Sequence, residues 1–266
     1  MALVQMKTFG GISPKVSPRL LADNQAQTAL NCSVFSGTLI PLPNVGSSVT
    51  TLTKVGTPLT IYRFGQDAVS DTNYWFHWTT DVDVARSQIA GDTSEWTFYT
   101  DGTQPKATYN TLALSGSDYP TVSRPLGLPA PTSACSVSAG SVPSGSTATP
   151  ETRNYTYTMV SKESGFEFES APATASQDVD AVPGQTITVG TFASIPSGYN
   201  VTHRRIYRAT AGTYLFVAEI TAATSSYADS KLAEDLGEAL PTTTWLPPPD
   251  TLKGLINLPG GVMAGF

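Results

Sequence analysis

Charged residues are scarce in this sequence. Asp, Glu, Lys and Arg together make up 14% of its 266 residues, against roughly a quarter in an average soluble domain. Long charged side chains populate the exposed faces of helices, whereas Ser, Thr, Val and aromatic residues suit a half-buried pleated surface. The composition therefore predicts an all-β protein.

Basic clusters, cysteine pairs and long apolar runs are also lacking. The net charge is −6, and only residues 203–208 (HRRIYR) bring several basic side chains together, alternating between the two faces of a strand. Stable binding of nucleic acid needs several phosphates neutralised at once, so we do not expect it. Cys32 and Cys135 lie in different segments, so we do not expect a disulfide framework. We predict that both are small buried residues. No apolar run reaches the roughly 18 residues of a membrane span, and no signal-peptide pattern is present.

Sequence motifs of catalysis are absent as well. The chain has two histidines, His77 and His203, and no nucleophile elbow, zinc-protease, P-loop or dinucleotide-binding pattern. His77 lies between Phe76 and Trp78 in an aromatic run, which predicts a hydrogen-bonded or exposed strand residue rather than a catalytic one. We assign no catalytic, cofactor-binding or metal-binding residue, and expect a protein that is not an enzyme and takes no cofactor or small-molecule substrate.

Some carboxylates permit a chemical interpretation that we do not favour. Asp81 and Asp83, like Asp178 and Asp180, share one face of a predicted strand and could offer oxygens to Ca²⁺. The EF-hand pattern is missing, so a solvated loop is the favoured interpretation. Three glutamates could form a general acid and base pair, but adjacent basic residues and strand exposure explain them equally well, and they receive no role: Glu163, Glu167 and Glu169.

Strand and proline patterns divide the chain into segments. Residues 1–55 form an N-terminal arm, in which early prolines exclude a long regular element and residues 20–31 predict one short helix. Such an arm cannot bury its own apolar residues, so it must dock on its own domain or on a neighbouring subunit. Residues 56–124 form a β-rich domain of aromatic strands and Asp- or Gly-rich turns. Closely spaced prolines at residues 124–131 mark a linker or domain boundary.

Residues 132–243 carry the signals of about six strands separated by turns, a pattern typical of a β-sandwich. Aromatic and branched residues should fill its two inner faces: Tyr155, Tyr157, Ile187, Val189, Ile206, Phe216 and Ile220. Residues 230–240 are interpreted as irregular, because a glycine weakens the helical pattern and a proline ends it.

Residues 250–266 follow a stiff polyproline spacer and predict one strand, a turn and half of the next strand. A domain should not end on the strand that completes its first hairpin, since that strand would have no partner for its buried face. We therefore expect residues 250–266 to begin a further β domain, and the chain to be the N-terminal part of a longer product.

The N-terminal arm resembles a family of viral proteins. Residues 9–18 (FGGISPKVSP), 20–26 (LLADNQA) and 36–42 (SGTLIPL) follow one another as at the N-terminus of tail nozzle proteins of short-tailed bacteriophages, the tail tubular protein B type. Residues 81–108 again resemble phage tail proteins, in a strand, a loop and a returning strand that lead to a PKAT element.

A second resemblance lies further along the chain. The tyrosine-rich segment 154–172 and the segment 205–219 are similar to a fibronectin type III or immunoglobulin-like module. This implies that residues 132–243 form a sandwich of that kind.

The nozzle resemblance implies a structural component of the phage virion tail, made in the cytoplasm of a bacterial host. It implies a homo-oligomeric ring, a hexamer, that conducts DNA during ejection and contacts neighbouring head-tail adaptor and tail fibre proteins. It also implies that residues 56–124 belong to a β-rich platform or a propeller. An acidic chain suits transient passage of double-stranded DNA without specific binding, because a basic lumen would hold the phosphates.

Other classes stay open at this stage. Immunoglobulin-like modules also suit a collar, fibre-attachment or capsid decoration protein. A tail-associated polysaccharide or peptidoglycan hydrolase is a second alternative, with its active domain beyond Phe266. A host adhesion module is a third, although the missing signal peptide argues against it.

Overall fold

A computed structural model of the chain describes residues 8–33, 40–42, 46–48, 50–65, 74–259 and 262–266. The chain divides into two compact units, residues 1–51 and 52–266. Strands make up 34% and helices 3% of the structure, which confirms the prediction of a β protein. The strands form several antiparallel sheets. The finer division of residues 52–266 into domains stays a prediction.

The first unit contains a pair of short strands. Strand β1 (Cys32–Ser33) lies antiparallel to β2 (Ile40–Pro41), with Cys32 opposite Pro41. The connecting motif residues 36–39 lie outside the described residues.

The helix predicted for residues 20–31 is wrong. The backbone N–H of Ala26 donates to the carbonyl of Gly11 at 3.2 Å, and the carbonyl of Ala26 accepts from the N–H of Ser13 at 2.8 Å. Both polar groups of this residue are therefore unavailable to a helical ladder. Asn31 has a φ of 54°, in the left-handed region. Turns occupy the segment instead.

The second unit begins with a strand pair and a four-stranded sheet. Its elements are β3 (Thr60–Arg63), β4 (Trp75–Trp78), β5 (Asp83–Arg86), β6 (Thr97–Thr100), β7 (Lys106–Thr108), the short helix α1 (Asn110–Ala113) and β8 (Arg124–Pro125). Strand β3 pairs with β4, and the sheet has the order β5-β6-β7-β8. The strands predicted around residues 59–64, 74–78 and 96–100 are confirmed.

The two outer strands of this four-stranded sheet, β5 and β8, do not pair with each other. No barrel or propeller closes among the described residues, so the propeller implied for residues 56–124 is not found there. Strand β8 occupies one edge, where the missing N–H of Pro125 costs little. Arg124 and Pro125 thus belong to the sheet, and the proline-rich break begins after them.

Two further sheets contain the strands predicted between residues 132 and 243. Their main strands are β9 (Ser136–Ala139), β11 (Tyr155–Glu163), β12 (Phe166–Glu169), β14 (Ile187–Gly190), β15 (His203–Thr210), β16 (Thr213–Thr221) and β17 (Ser226–Asp229). One sheet has the order β12-β11-β15-β16 and the other the order β17-β14-β9. The short strands β10 (Glu151–Arg153) and β13 (Val179–Ala181) pair beside them. Residues 230–240 are irregular apart from one 3₁₀ turn, Ala233–Asp235.

One apolar core receives side chains from both of these sheets, and we call the two sheets with this core the sandwich. Ile220, one of the seven residues predicted for this core, packs against it. Five others are fully buried: Tyr155, Tyr157, Ile187, Val189 and Ile206. Alternating strand residues that face each other across two sheets bury apolar surface on both. This part of the core was therefore predicted correctly.

Phe216 is the exception, because a β-bulge changes which residues of β16 face inward. Ile206 lies opposite Ala218, but the next residue, Tyr207, lies opposite Phe216. The extra residue, Val217, is fully buried and takes the inward position. Phe216 instead contacts Tyr207 on the outer face, with ring centroids 5.9 Å apart.

A second apolar cluster joins the β5–β8 sheet to the tip of the β11–β12 hairpin. Trp96 is 1% exposed, and its ring centroid lies 5.1 Å from that of Phe166 and 5.6 Å from that of Phe168. The indole N–H donates to the carbonyl of Ser164 at 3.2 Å. Glu163 adds an ion pair with Arg124 at 3.0 Å. Apolar and polar contacts together hold this joint.

The hairpin predicted near the end of the sequence is confirmed as β18 (Ile256–Leu258) and β19 (Val262–Ala264). It packs beside β5. The side-chain amide of Asn257 donates to the carbonyl of Arg86 at 2.7 Å, and the N–H of Gly254 donates to Asp83 at 2.6 Å. Leu255 is buried in the cluster around Trp96.

A buried ion pair lies inside the sandwich. Arg208 donates to Asp229 at 2.8 Å, and the Tyr155 hydroxyl donates to the same carboxylate oxygen at 2.8 Å. All three side chains are almost inaccessible to water. Burial raises the pKa of the Tyr155 hydroxyl, and the neighbouring carboxylate raises it further. Removing one member leaves an uncompensated charge in the interior.

Replacing Asp229 with Ala should lower the free energy of unfolding by about 3–5 kcal/mol, because Arg208 stays buried without its counter-ion. Urea denaturation followed by tryptophan fluorescence measures the change. Glu219→Ala is the matched control, since Glu219 pairs with Arg205 at 2.9 Å but the side chains are 24% and 21% exposed. The control should lose about 1 kcal/mol or less. Equal losses in the two variants would contradict the prediction.

Candidate functional site

The segment that resembles the nozzle N-terminus folds back on itself. The N–H of Gly10 donates to the carbonyl of Asn24 at 2.6 Å, and the N–H of Ala26 donates to that of Gly11 at 3.2 Å. Ile12 and Ala26 form a parallel bridge. Two of the three sequence elements that carry the resemblance, residues 9–18 and 20–26, are thus held together by backbone hydrogen bonds.

The local structure bears on why glycine occupies positions 10 and 11 in the first element. A Cβ at Gly10 would lie 2.9 Å from the side-chain nitrogen of Asn24, so a larger residue would displace that side chain. Gly11 has a φ of +110°, a conformation that residues with a Cβ rarely adopt. The fold-back therefore depends on glycine at position 11, whereas a Cβ at position 10 would only shift the exposed Asn24 side chain.

The third element, residues 36–42, contacts residues 31–33, which follow the second element. Its described part is residues 40–42, and β2 within it pairs with β1. The N–H of Leu42 donates to the carbonyl of Asn31 at 2.9 Å. Short backbone contacts, rather than a helix or a broad sheet, organise the described part of this unit.

Large apolar side chains of this unit remain exposed to solvent. Leu20 and Leu30 are each 79% exposed, and Leu42 is 56% exposed. With Ile12 and Ile40 they form what we call the N-terminal apolar set. An open groove of about 360 Å³ lies in the same unit and is lined by Phe9, Ala26, Thr28, Ala29, Leu30, Asn31, Cys32 and Pro41. Exposed aliphatic side chains concentrated in a short unit are typical of an interaction surface.

The outer face of the sandwich carries a network of ion pairs. Arg205 lies 2.6 Å from Glu167, 2.7 Å from Glu169 and 2.9 Å from Glu219. The Tyr207 hydroxyl donates to Glu169 at 2.7 Å. Burial raises the pKa of Tyr207, and the hydrogen bond to the carboxylate raises it further. Glutamates of β12 and β16 are thus bound to basic and hydroxyl side chains of β15, as the adjacent basic residues indicated.

Glu163, the remaining glutamate considered for acid and base chemistry, lies away from this network. Glu163 accepts from the Tyr109 hydroxyl at 3.1 Å and from Arg124 at 3.0 Å, at the joint between the first sheet and the sandwich. Its position separates it from Glu167 and Glu169, which both contact Arg205. The structure therefore ties Glu163 to the joint and the other two to the network.

His77 is hydrogen-bonded, as its strand position predicted, and it is buried. Its Nε2 accepts from the N–H of Lys54 at 3.1 Å, and its Nδ1 lies 3.2 Å from the carbonyl of Trp75. The Lys54 ammonium donates to the His77 carbonyl at 3.0 Å. Burial lowers the pKa of Lys54. His203 lies on another sheet, with Nδ1 2.9 Å from the Thr202 hydroxyl.

Three of the four aspartates considered for Ca²⁺ accept hydrogen bonds from the chain itself. Asp83 accepts from Gly254, Asp178 from Asn154 at 3.1 Å and Asp180 from Thr152 at 2.7 Å. Among the residues that the structure describes, no group of three or more His, Cys, Asp or Glu side chains is placed to hold a metal ion.

The basic run at residues 203–208 alternates between the two faces of β15, as predicted. Arg204 and Arg208 are buried, whereas Arg205 joins the outer network. Arg204 donates to the carbonyl of Ala193 at 3.2 Å and lies 5.1 Å from the centroid of Phe192. These arginines are bound within the chain.

Both cysteines are free. Cys135 is buried in the sandwich core, where burial raises its pKa to about 11. Cys32 is only half-buried, so the prediction of a buried residue holds for Cys135 alone.

The buried charges at one end of the sandwich are absent from the sequence predictions. Arg153 and Arg208 are 3% and 2% exposed, and both line one cavity. Strand alternation places Arg208 on the same face as Ile206, so the pattern of β15 contained a signal for an inward arginine. No comparable signal marks Arg153, because β10 is only three residues long.

Comparisons with known proteins give no match: no protein-family model, no curated protein sequence and no solved structure is similar to this chain. In the described part of the chain, no helix has the length and apolar character needed to cross a membrane.

Gly11→Ala should loosen the fold-back of the first unit. Alanine at a positive φ costs about 1–3 kcal/mol, which corresponds to roughly five- to hundredfold faster exchange of amides protected by local structure. Hydrogen exchange with mass spectrometry of peptides from residues 20–33 measures this rate. Gly46→Ala is the control, because Gly46 has open space around its Cβ position and no positive φ. Unchanged exchange in Gly11→Ala would contradict the role given to Gly11.

Proposed function

We propose that this protein is a structural component of a bacteriophage virion tail, a nozzle protein whose copies form a ring-shaped conduit for DNA ejection. One observation carries the proposal. The sequence elements that resemble nozzle N-termini meet through backbone hydrogen bonds from Gly10 and Ala26, while the N-terminal apolar set stays exposed. A segment with a fixed backbone and uncovered leucines is suited to clamp a neighbouring subunit.

A closed ring needs a heterologous interface, in which each copy offers one surface and receives another. The N-terminal apolar set supplies the offered surface. Burying one leucine side chain contributes about 1.5–3 kcal/mol, so Leu20 and Leu30 alone, each 79% exposed, are enough to matter in each interface. The number of copies, a hexamer, rests on the resemblance.

We also propose that residues 132–243 form an immunoglobulin-like or fibronectin III-like module that decorates the ring. The support is a division of seven main strands into sheets of four and three around one core. The likeness extends to only part of the strand order. The second and fifth strands are the inner pair of the four-stranded sheet in both cases, but the central strand of the three-stranded sheet is the sixth in the immunoglobulin order and the fourth of the seven, β14, here.

The charge distribution favours transient passage of DNA rather than binding. The net charge is −6, and the most basic run of the sequence spends its arginines on partners inside the chain. A surface without free basic clusters does not hold phosphates during transit. Head-tail adaptor and tail fibre proteins are the neighbours that this role requires, and no catalytic activity is part of it.

A collar, fibre-attachment or capsid decoration protein is the alternative. The sandwich favours it, since a self-contained module with its own core can decorate any part of a particle. The position of the protein on the virion distinguishes the two roles.

Replacing Leu20 and Leu30 together with Ser should abolish ring assembly, because the interface loses its two most exposed leucines. Light scattering after size-exclusion chromatography and negative-stain microscopy measure assembly. Deleting residues 1–42 should have the same effect, while the sandwich keeps its near-ultraviolet circular dichroism.

Val142→Ser is the matched control, because Val142 is an exposed aliphatic residue, 55% accessible, outside the first unit. This variant should still form rings. A truncated or double-substituted chain that assembles as well as the unmodified chain would refute the clamp.

Immunogold microscopy of intact particles, with an antibody raised against residues 132–243, should place gold at the tail tip. Gold along a collar or over the head would support the alternative role. No gold on particles whose blots react with the antibody would remove the protein from the virion surface and count against both roles.

A further inference from the structure

The hairpin of β18 and β19 has two different faces. Register places Asn257 opposite Met263. Asn257 donates to the carbonyl of Arg86 at 2.7 Å, and Met263 packs against the apolar cluster around Trp96. Residues before and after this pair point the other way, because successive strand residues alternate between the two faces. One face of the hairpin is thus fixed to the second unit.

The opposite face is apolar and exposed. Leu258 lies opposite Val262, and Ile256 lies opposite Ala264. Ile256, Leu258 and Val262 are 57%, 41% and 54% exposed, and we call these three residues the hairpin apolar face. The solvent face of an antiparallel sheet ordinarily carries polar side chains. Three large aliphatic side chains among four residues therefore indicate a surface that a partner covers.

The charges of the chain divide unequally between the two units. Residues 1–51 contain three basic residues and one acidic residue, whereas residues 52–266 contain 12 basic and 20 acidic residues. Lys15 and Arg19 are exposed, and Arg19 directly precedes Leu20 of the N-terminal apolar set. First units of two copies would repel each other, whereas the first unit of one copy and the second unit of another attract. The charges therefore favour a contact between unlike units.

The surroundings of the hairpin carry an excess of negative charge. The charged residues on the hairpin segment 250–266 and on or just before β5 are Asp81, Asp83, Arg86, Asp250 and Lys253. Asp83 accepts from the N–H of Gly254 at 2.6 Å, which places its carboxylate at the hairpin. Arg86 is already paired with Glu95 at 2.8 Å. This excess suits a partner surface that combines aliphatic side chains with basic ones.

We propose that the hairpin apolar face receives the N-terminal apolar set of a second copy of this chain. The inference rests on the proposed function, in which the first unit is the offered surface of a heterologous interface, and it assigns the receiving surface. Leu20 and Leu30 of one copy pack on the hairpin apolar face of the next, and Lys15 and Arg19 meet its aspartates. Because the offered and the receiving surfaces differ, the contact repeats from copy to copy and can close a ring.

Disulfide formation between two full-length variants tests the contact. One variant carries Leu30→Cys and the other Val262→Cys, both with Cys32→Ser. Cys135 does not compete, because it is buried and its pKa is raised to about 11. When the variants are mixed with oxidised glutathione as the oxidant, we expect a covalent dimer of one copy of each. Mass spectrometry of the linked peptides identifies the two positions.

The control replaces Val262→Cys with Leu59→Cys. Leu59 is also an exposed aliphatic residue of the second unit, but Lys54 and Arg63 lie near it in the sequence instead of aspartates. The Val262→Cys variant should be linked about tenfold faster or more, because binding holds its thiol at a high effective concentration near that of Leu30→Cys. Equal rates for the two partners, or no linked dimer, would overturn the proposal.

The charge contribution has a test of its own. Adding Lys15→Glu and Arg19→Glu to the Leu30→Cys variant should slow its linkage to the Val262→Cys variant about tenfold, because attraction between the two surfaces becomes repulsion. An unchanged rate would contradict the pairing of these basic residues with the aspartates around the hairpin.

Other occupants of the hairpin give different products. A chain that carries both Leu30→Cys and Val262→Cys would form a disulfide within itself if the first unit covered the hairpin of its own copy. The Leu30→Cys variant alone would form dimers if two first units met. Either product in place of the mixed dimer would overturn the proposal.

Negative-stain microscopy of the unmodified chain keeps this inference separate from the proposed function. Rings without a link between positions 30 and 262 would refute the receiving surface and leave the conduit standing. The link without closed rings would confirm the contact between copies and refute the conduit.

Discussion

The antiparallel pairing of β11 with β15 is the constraint on which most other features depend. Inward residues of both strands, among them Tyr155 and Ile206, build the core, and the outward Arg205 organises the ion-pair network. The last residue of β11, Glu163, reaches the joint with the first sheet, and Arg153, which lies in β10 two residues before the start of β11, lines a cavity with Arg208. A shift of one residue in this register would exchange the two faces of the sheet and disrupt all of these contacts.

Local patterns predicted most strands and most of the core, and they failed where distant backbone groups intervened. Alternation located β11, β15 and β16 because each has one face in the core. The prediction of a helix at residues 20–31 was wrong because the backbone of Ala26 is hydrogen-bonded to Gly11 and Ser13. Helix propensity depends on local sequence and contains no information about such distant contacts. The prediction that Phe216 faces the core was wrong because one extra residue in β16 reversed the alternation. A β-bulge cannot be recognised from the periodicity of the sequence.

The candidate sites were predictable to different degrees. The sequence of residues 1–55 predicted an arm that cannot bury its own apolar side chains, and the exposure of Leu20 and Leu30 agrees with this prediction. The inward position of Arg208 followed from strand alternation. Its counter-ion Asp229 and its neighbour Arg153 did not, since Asp229 is 21 residues away and comes from another sheet. Pairings of this kind require the three-dimensional register.

The joint around Trp96 has a mechanical consequence. The Trp96 indole N–H donates to Ser164 at the tip of the β11–β12 hairpin, and Arg124 pairs with Glu163 in the same hairpin. The β5–β8 sheet is thus joined to the sandwich by side-chain contacts as well as by the chain that connects them. A rotation of this sheet relative to the sandwich would have to break both contacts, so the joint resists torsion.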